Sequence, residues 1–289
     1  MKVVVTGAEG QVGRALLESA PATARVAGLS RRDLDITNVH AVRASLERER
    51  PDWVFNAAAY TAVDRAEGDP DQAHRVNALG AASLAQAIKA AGCQLLQIST
   101  DFVFSGEQSR PYRPGAATGP VNVYGASKLR GEEAVIRETD GNALIVRTSW
   151  VYATRGQNFV LRMLELMRTK QELTIVADQI GSPTWAVSLA RALWSMAGKD
   201  LNGIHHWADA GVASWYDFAA AIQDEALARR LLERRSTLRP IRTDEYPAAA
   251  RRPAYSVLDT RSAAECVGMS PAHWRHNLGQ MLDRLAAER

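Results

Sequence analysis

Tyr124 and Lys128 stand four residues apart in Val123-Tyr124-Gly125-Ala126-Ser127-Lys128, where a helix is predicted to begin. Helical periodicity puts residues i and i+4 on one face, so the two side chains are neighbours. A phenol can hand a proton to a carbonyl oxygen that is receiving hydride, but its ordinary pKa of about 10 keeps it from cycling readily near neutral pH. A neighbouring ammonium favours the phenolate, and a shift of roughly three units, or about 4 kcal/mol, would bring the phenol into the useful range. The spacing arises often by chance, and alone it describes a surface lysine beside a half-buried tyrosine. Thr100 strengthens it: in Ser99-Thr100-Asp101 it closes an apolar run, and a hydroxyl there can hold the carbonyl oxygen while Tyr124 donates.

The chain's first apolar run, Val3-Val4-Val5, leads through Thr6 into Gly7-Ala8-Glu9-Gly10-Gln11-Val12-Gly13. A run without alternation suits a parallel strand covered on both faces. Glycines three apart let the chain turn tightly and let the backbone approach a pyrophosphate at the N-terminus of the following helix. The spacing differs by one residue from G-x-G-x-x-G, so the motif alone also fits a plain glycine-rich strand-to-helix turn. Gln11 and Val12 are expected to meet a dinucleotide through their backbone, with no need of their side chains.

The elements that must position these groups alternate. Apolar runs at 3–5, 26–29, 53–56, 95–99 and 144–146 are interleaved with helical patterns from Val12, near 39–50 and over 71–91. That rhythm predicts an α/β fold: a parallel, doubly wound sheet of the Rossmann type. Such sheets bind ligands at the carboxyl ends of their strands, where Gly7, Asn56 and Thr100 all fall. Residues 105–122, rich in Gly, Pro and polar side chains, read as a loop over the site. After Trp150 the pattern loosens into a helix over 158–170, a strand at 173–176, a turn at 178–184, a helix over 185–197, a short strand at 203–208, and helices over 215–227 and 271–287. The expected division is a dinucleotide-binding domain over 1–150, with segments from about 184–212 returning to it, and a smaller α/β substrate-binding lobe over most of 151–289.

With 289 residues and 46% hydrophobic composition the chain can bury a full core. No apolar run approaches the roughly 20 residues of a membrane span, and the N-terminus enters a strand at once, so a cytoplasmic protein is expected. Cys93 and Cys266 lack C-x-x-C or His-rich company and read as structural thiols; no metal is indicated. A pI near 9.0 raises the question of nucleic acid. However, glutamates interrupt the arginines Arg229, Arg230, Arg234, Arg235, Arg239, Arg242, Arg251 and Arg252, and no stacking series accompanies them. They read as a solvated face, from which a few could reach the pyrophosphate of a nucleotide-linked substrate. Alternation in the predicted strand sends the rings of His205 and His206 to opposite faces, and Trp207, Trp215 and Trp274 read as packing residues.

Together these blocks resemble the extended short-chain dehydrogenase/reductases. Within that superfamily the residues from Asn56 to Asp64, Ser99-Thr100-Asp101-Phe102-Val103-Phe104, Asn122-Val123-Tyr124-Gly125, Arg147-Thr148-Ser149-Trp150-Val151-Tyr152 and Arg252-Pro253 are similar to the dTDP-4-dehydrorhamnose reductase family, almost end to end. The resemblance implies NADPH-dependent reduction of a dTDP-linked 4-keto-6-deoxy sugar, with NADH as the alternative cofactor. It implies that Gly10, Gln11 and Val12 contact the pyrophosphate, Asp35 and Ile36 the adenine, and Ala59, Tyr60 and Thr61 the ribose-nicotinamide side. Tyr124 would be the proton donor, Lys128 would also hold the nicotinamide ribose, and Thr100 would be partner to the substrate oxygen. Asp101 and Trp150 would line the sugar pocket, with Asn158, Phe159, Gln179 and Arg252 as candidates for the nucleotide part.

Two departures matter. Many dinucleotide sites end the second strand with an acidic residue that binds the ribose diol, but here Leu29-Ser30-Arg31-Arg32 offers an arginine pair suited to a 2′-phosphate. NADPH is therefore expected over NADH. Some family members join subunits through magnesium-bound carboxylates, at places taken here by Ala15 and Val187, so a monomer or weak homodimer is expected. The competing readings are a non-catalytic regulatory subunit of a methionine adenosyltransferase, a reductase of another 4-keto-6-deoxy sugar, and an epimerase or dehydratase. Intact Thr100, Tyr124 and Lys128 favour an enzyme, and Asp101-Phe102 lacks the acid pair typical of elimination.

Overall fold

The computed structural model describes residues 1–288. The apolar runs become parallel strands: β1 (Lys2–Thr6), β2 (Arg25–Leu29), β3 (Trp53–Asn56), β4 (Gln94–Thr100) and β5 (Leu144–Thr148). With the strand Gly203–His206 they form a six-stranded sheet in the order Gly203–His206, β5, β4, β3, β1, β2, every pair parallel. From β1 the chain steps outward to β2 and then back across to β3, so the strand order reverses between β1 and β3. Ligands of such sheets sit in the crevice at that reversal.

Both faces of the sheet are covered, which is why the strands read as unbroken apolar runs. Val3, Val5, Phe55, Leu96 and Val146 join one core with Leu16 and the helix Ala186–Ala197. Val4, Val54, Leu95 and Ile145 point the other way, into Val42, Leu46, Leu84 and Ile88 of the helices Val39–Glu49 and Gly80–Ala91. Burying each such side chain is worth roughly 1.5–3 kcal/mol. Asn38 starts the first of these two helices by accepting from His40 N and Ala41 N, and Gly92, at φ 68°, stops the second.

The single helix expected over 71–91 is instead Pro70–His74, a π-helical turn Arg75–Leu79, and Gly80–Ala91. A π turn advances the helical phase by one residue, which brings Asn77 inward, 3% exposed. The helix Ala186–Ala197 packs on the helix Gln11–Glu18, and Trp194 Nε1 donates to the Leu16 carbonyl at 3.1 Å. The helix Arg261–Val267, absent from the sequence reading, also returns to the sheet side, against Ala186–Ala197 and Gly203–His206. Seven residues are too few to show a periodic pattern.

The remaining segments pair in short strands: Glu172–Val176 with Thr237–Ile241, Ile180–Gly181 with Ala213–Ser214, and Val151–Tyr152 with Thr184–Trp185. Thr237–Ile241 is likewise unanticipated, because Arg239 and Pro240 suppress its strand signal. The predicted strand at 203–208 ends at His206. Among the described residues no helix is long and apolar enough to cross a membrane.

Candidate active site

The glycine turn is shaped by contact. Gly7 has φ +67°, and a Cβ there would lie 2.6 Å from Ala58 N and 2.7 Å from the Ala57 carbonyl carbon at the end of β3. At Gly13 a Cβ would lie 2.2 Å from Gly7 O, so the helix seats on the turn only without one. The helix Gln11–Glu18 has Gly10 as N-cap, no capping side chain and no acidic residue in its first turn. Its first helical bond, from Arg14 N to Gly10 O, leaves the N–H groups of Gln11, Val12 and Gly13 without helical acceptors. This bare, positive helix end at the crevice fits a pyrophosphate. One expectation is corrected: the Gln11 side chain is engaged, accepting from Asn158 Nδ2 at 2.9 Å and donating to Gln157 O at 3.4 Å.

After β2, Ser30 donates through N and Oγ to Asp33 at 2.8 and 2.6 Å, folding a tight turn that leaves Arg31 and Arg32 exposed. Arg32 lies near Asp33 and Arg31 near Asp35, each helping to lower that carboxyl, while both guanidinium groups stay exposed and open to an external phosphate. Asp35 is occupied by Thr37, whose N and Oγ1 hold its carboxyl below the usual range. Ile36 is buried against Gly80.

A polar ladder crosses the carboxyl edge of the sheet. Thr6 Oγ1 donates to Asn56 Oδ1 (2.6 Å), Asn56 Nδ2 to Gln97 Oε1 (2.7 Å), and Gln97 Nε2 to Ile98 O (2.9 Å). Lys128 Nζ reaches the same carbonyl at 2.7 Å. Ala59, Tyr60 and Thr61 follow β3, and Asn77 clamps their loop: it accepts from Tyr60 N at 2.8 Å and donates to Tyr60 O and Ser127 Oγ, each at 2.9 Å. Ser127 belongs to the helix Val123–Glu138, so the loop and that helix are held as one piece.

Asn122 caps this helix, its Oδ1 accepting from Gly125 N at 2.7 Å, which sets Tyr124 in the first turn. A Cβ on Gly125 would sit 2.1 Å from Phe102 O, so the glycine lets the helix rest on the turn after β4 and brings Tyr124 to Thr100. Burial pushes the Tyr124 phenol up to about 12, with the Thr100 hydroxyl pulling down and Asp101 pushing further up. Lys128, 4% exposed, is pushed down to about 8 by burial, against the pull of Glu132. The acidified phenol expected from the sequence is therefore not what the protein alone presents: Lys128 turns its ammonium to Ile98 O, and burial dominates at Tyr124. Thr100 Oγ1 donates to Asp101 Oδ1 at 3.0 Å, and burial raises the Asp101 carboxyl to about 7, with Ser256 and Thr100 opposing.

Beneath lies a buried ion pair. Glu132 binds Arg147 through Nη2–Oε2 at 2.6 Å and Nε–Oε1 at 2.9 Å, and Ser99 Oγ also donates to it. Arg147 donates to Pro114 O in the covering loop at 3.1 Å and lies 5.0 Å from the centroid of Phe104.

On the lobe side, Trp150 has φ 44° and stacks on Trp215 at 3.5 Å and 2°. Gly181 makes room, since a Cβ there would meet the Trp150 ring at 2.4 Å. Phe159 packs on Trp215 at 4.6 Å, and Gln179 accepts from Trp215 Nε1 at 3.1 Å. Asn158 caps the helix Phe159–Thr169. Arg252 pairs with Asp64 at 2.6 Å. Of the arginine cluster, Arg229, Arg235, Arg239 and Arg242 form intramolecular ion pairs, which accords with a solvated face. Ala15 and Val187 line one shallow pocket with Arg14, Arg155 and Arg284.

A glycine cradle, an exposed arginine pair and the Thr100–Tyr124–Lys128 group thus share one sheet edge. The family model described as "RmlD substrate binding domain" matches residues 1–287. The chain belongs to that family. It is 43% identical over 290 residues to a dTDP-4-dehydrorhamnose reductase of Burkholderia thailandensis, covering 96% of this chain and 97% of the relative. The crystal structure of a dTDP-4-dehydrorhamnose reductase from Clostridium acetobutylicum superposes with a TM-score of 0.92 at 37% identity, covering 99% of each chain. One from Bacillus anthracis in complex with NADP gives 0.91 at 35% identity, covering 98% of this chain and 99% of that one. The Rossmann-type, extended short-chain dehydrogenase/reductase fold is thereby established for this RmlD-family chain.

Three residues of the site, and the role of one side chain, escaped the sequence reading. Asn77 was hidden by the phase change of the π turn, Ser256 by its distance along the chain from Asp101, and the Gln11 side chain by its partner in the lobe. Glu132 carried a signal, since it stands four residues after Lys128 on the same helical face.

Proposed function

We propose that this chain uses NADPH to reduce the 4-keto group of dTDP-4-dehydro-β-L-rhamnose to dTDP-L-rhamnose. The observation that carries the reading is the hydrogen bond between Tyr124 and Thr100, with Lys128 one turn further along the same helix, at the sheet edge that also holds the uncapped glycine cradle. Gly7, Gly10, Gln11, Val12 and Gly13 hold the pyrophosphate through backbone, and Ser30, Arg31 and Arg32 take the 2′-phosphate. Asp35 and Ile36 border the adenine. Ala59, Tyr60, Thr61, Tyr124 and Lys128 hold the ribose and nicotinamide, which when bound supplies the hydride. This places the dinucleotide mainly on residues 1–150 and the sugar nucleotide mainly against 151–289.

Tyr124, fully protonated at neutral pH, gives its proton to the substrate oxygen as charge develops there. Thr100 shares that oxygen. With Asp101 near pH 7, its protonated form can donate to Thr100 Oγ1 and free the threonine hydrogen for the substrate. The Lys128 ammonium, held at the Ile98 carbonyl in the free protein, would favour the phenolate left behind once it turns toward Tyr124 with cofactor bound. Trp150 offers the sugar a flat apolar wall. Asn158 acts on the nucleotide pocket as a cap and tie, and Arg252, held by its pair with Asp64, is a candidate for the nucleotide part of the substrate. The enzyme works in the cytoplasm as a monomer or weak homodimer.

The test mixes purified protein, NADPH and the dTDP-4-keto-6-deoxy-L-sugar, follows cofactor oxidation by absorbance and identifies the product by NMR. Formation of dTDP-L-rhamnose is expected. Inertness with this substrate but turnover of a UDP or GDP analogue would refute the assignment.

A further inference from the structure

The side chain of Gln11 leaves the glycine turn and crosses to the lobe. Its Oε1 accepts from Asn158 Nδ2 at 2.9 Å and its Nε2 donates to Gln157 O at 3.4 Å. Its Cγ lies 3.2 Å from where a Cβ would stand on Gly156, whose φ of +88° suits glycine. Asn158 is held from three sides: Oδ1 accepts from Leu161 N at 3.1 Å, and Nδ2 also donates to Ala153 O at 2.9 Å. The next residue, Phe159, packs on Trp215, and Trp215 stacks on Trp150. A continuous path of hydrogen bonds and ring contacts therefore runs from the first residue of the pyrophosphate-facing helix to the wall of the sugar pocket.

We propose that Gln11 and Asn158 are positioning residues that tie the pyrophosphate cradle to the sugar pocket, so that dinucleotide and dTDP-linked ligand strengthen each other's binding. This rests on the cradle holding NADPH as proposed above. A ligand seated on the Gln11 backbone N–H fixes that residue, which fixes Asn158 and the helix start behind it, so the second ligand meets a pocket already ordered. By linkage the effect is reciprocal. Its size is roughly three- to tenfold, that of about one net hydrogen bond.

The experiment measures dTDP binding by calorimetry with and without saturating NADP⁺, and takes the ratio of the two dissociation constants. Wild type should show tighter dTDP binding with NADP⁺ by the stated factor. Gln11→Leu and Asn158→Ser, the latter retaining a capping hydroxyl, should each bring the ratio close to one, and the double variant no further. Gln11→Glu keeps the acceptor for Asn158 Nδ2 and should retain the ratio even if NADP⁺ binds more weakly. A helix merely destabilised by substitution would change affinities without abolishing the ratio in both variants and restoring it in the third. A ratio of one in wild type, or one unchanged in Gln11→Leu, overturns the tie alone; failure of wild type to bind NADP⁺ overturns the cradle as well.

Discussion

Replacing Glu132 with Gln should destabilise the protein by about 3–5 kcal/mol, the usual cost of removing one partner of a buried ion pair. The side chains of Arg147 and Glu132 are only 3% and 2% exposed, so water cannot take over from the lost carboxylate. Gln keeps the shape and one acceptor oxygen but no negative charge, so the guanidinium is left with an amide oxygen, the Pro114 carbonyl and a ring face. At about 2.1 cal/mol/K of unfolding entropy per residue, a chain of 289 residues carries about 0.6 kcal/mol/K, so the melting temperature should fall by about 5–8 °C. Glu132 also raises the Lys128 pKa, so its removal lowers that pKa below about 8 and should move the basic limb of the pH–rate profile to lower pH. Removing both charges, as Glu132→Leu with Arg147→Met, should recover most of the stability, because no unpaired charge remains. Circular-dichroism melts and a pH series of kcat make the measurement. A single variant within about 1 kcal/mol of wild type, or a double variant less stable than the single, would refute the reasoning.

Tyr124→Phe should lower kcat by about 10²- to 10⁴-fold while cofactor still binds; near-normal turnover would exclude Tyr124 as proton donor. Arg31→Ala with Arg32→Ala should raise KM for NADPH by about tenfold or more and leave that for NADH little changed, and equal use of both cofactors by wild type would remove the idea. Asp101 binds its proton more tightly when folded, at about 7 against an ordinary value of 3.8. Its stabilising contribution is therefore complete below about pH 4 and is lost as pH rises through 7. The wild-type melting temperature should thus fall, relative to Asp101→Asn, between those limits, and parallel profiles would show that Asp101 is not the group responsible.

Local features were legible wherever one stretch of chain contained the whole physical cause. The strand Val3-Val4-Val5, the glycine turn and the Tyr124–Lys128 spacing each depend on neighbours within a few residues, and each stands in the structure where it was expected. The arginine pair after β2 was equally visible, being exposed and local. What failed depended on phase or on distant partners: the π turn that buries Asn77, the strand Thr237–Ile241 carried by pairing with Glu172–Val176, and the short helix Arg261–Val267.

The electrostatics of the site belong to the same class. From spacing alone Lys128 should acidify Tyr124, yet the enclosed site desolvates both groups, sending the phenol up and the ammonium down. Likewise Asp101 is an ordinary carboxylate in the sequence and a half-protonated one near pH 7 in the fold. Sequence by itself determined which chemical groups are present, their helical and strand periods, and hence the parallel sheet whose carboxyl edge collects them. Only the tertiary structure decided their charge states and attachments, because desolvation and hydrogen bonds such as Gln11 to Asn158 arise between segments that meet only after folding.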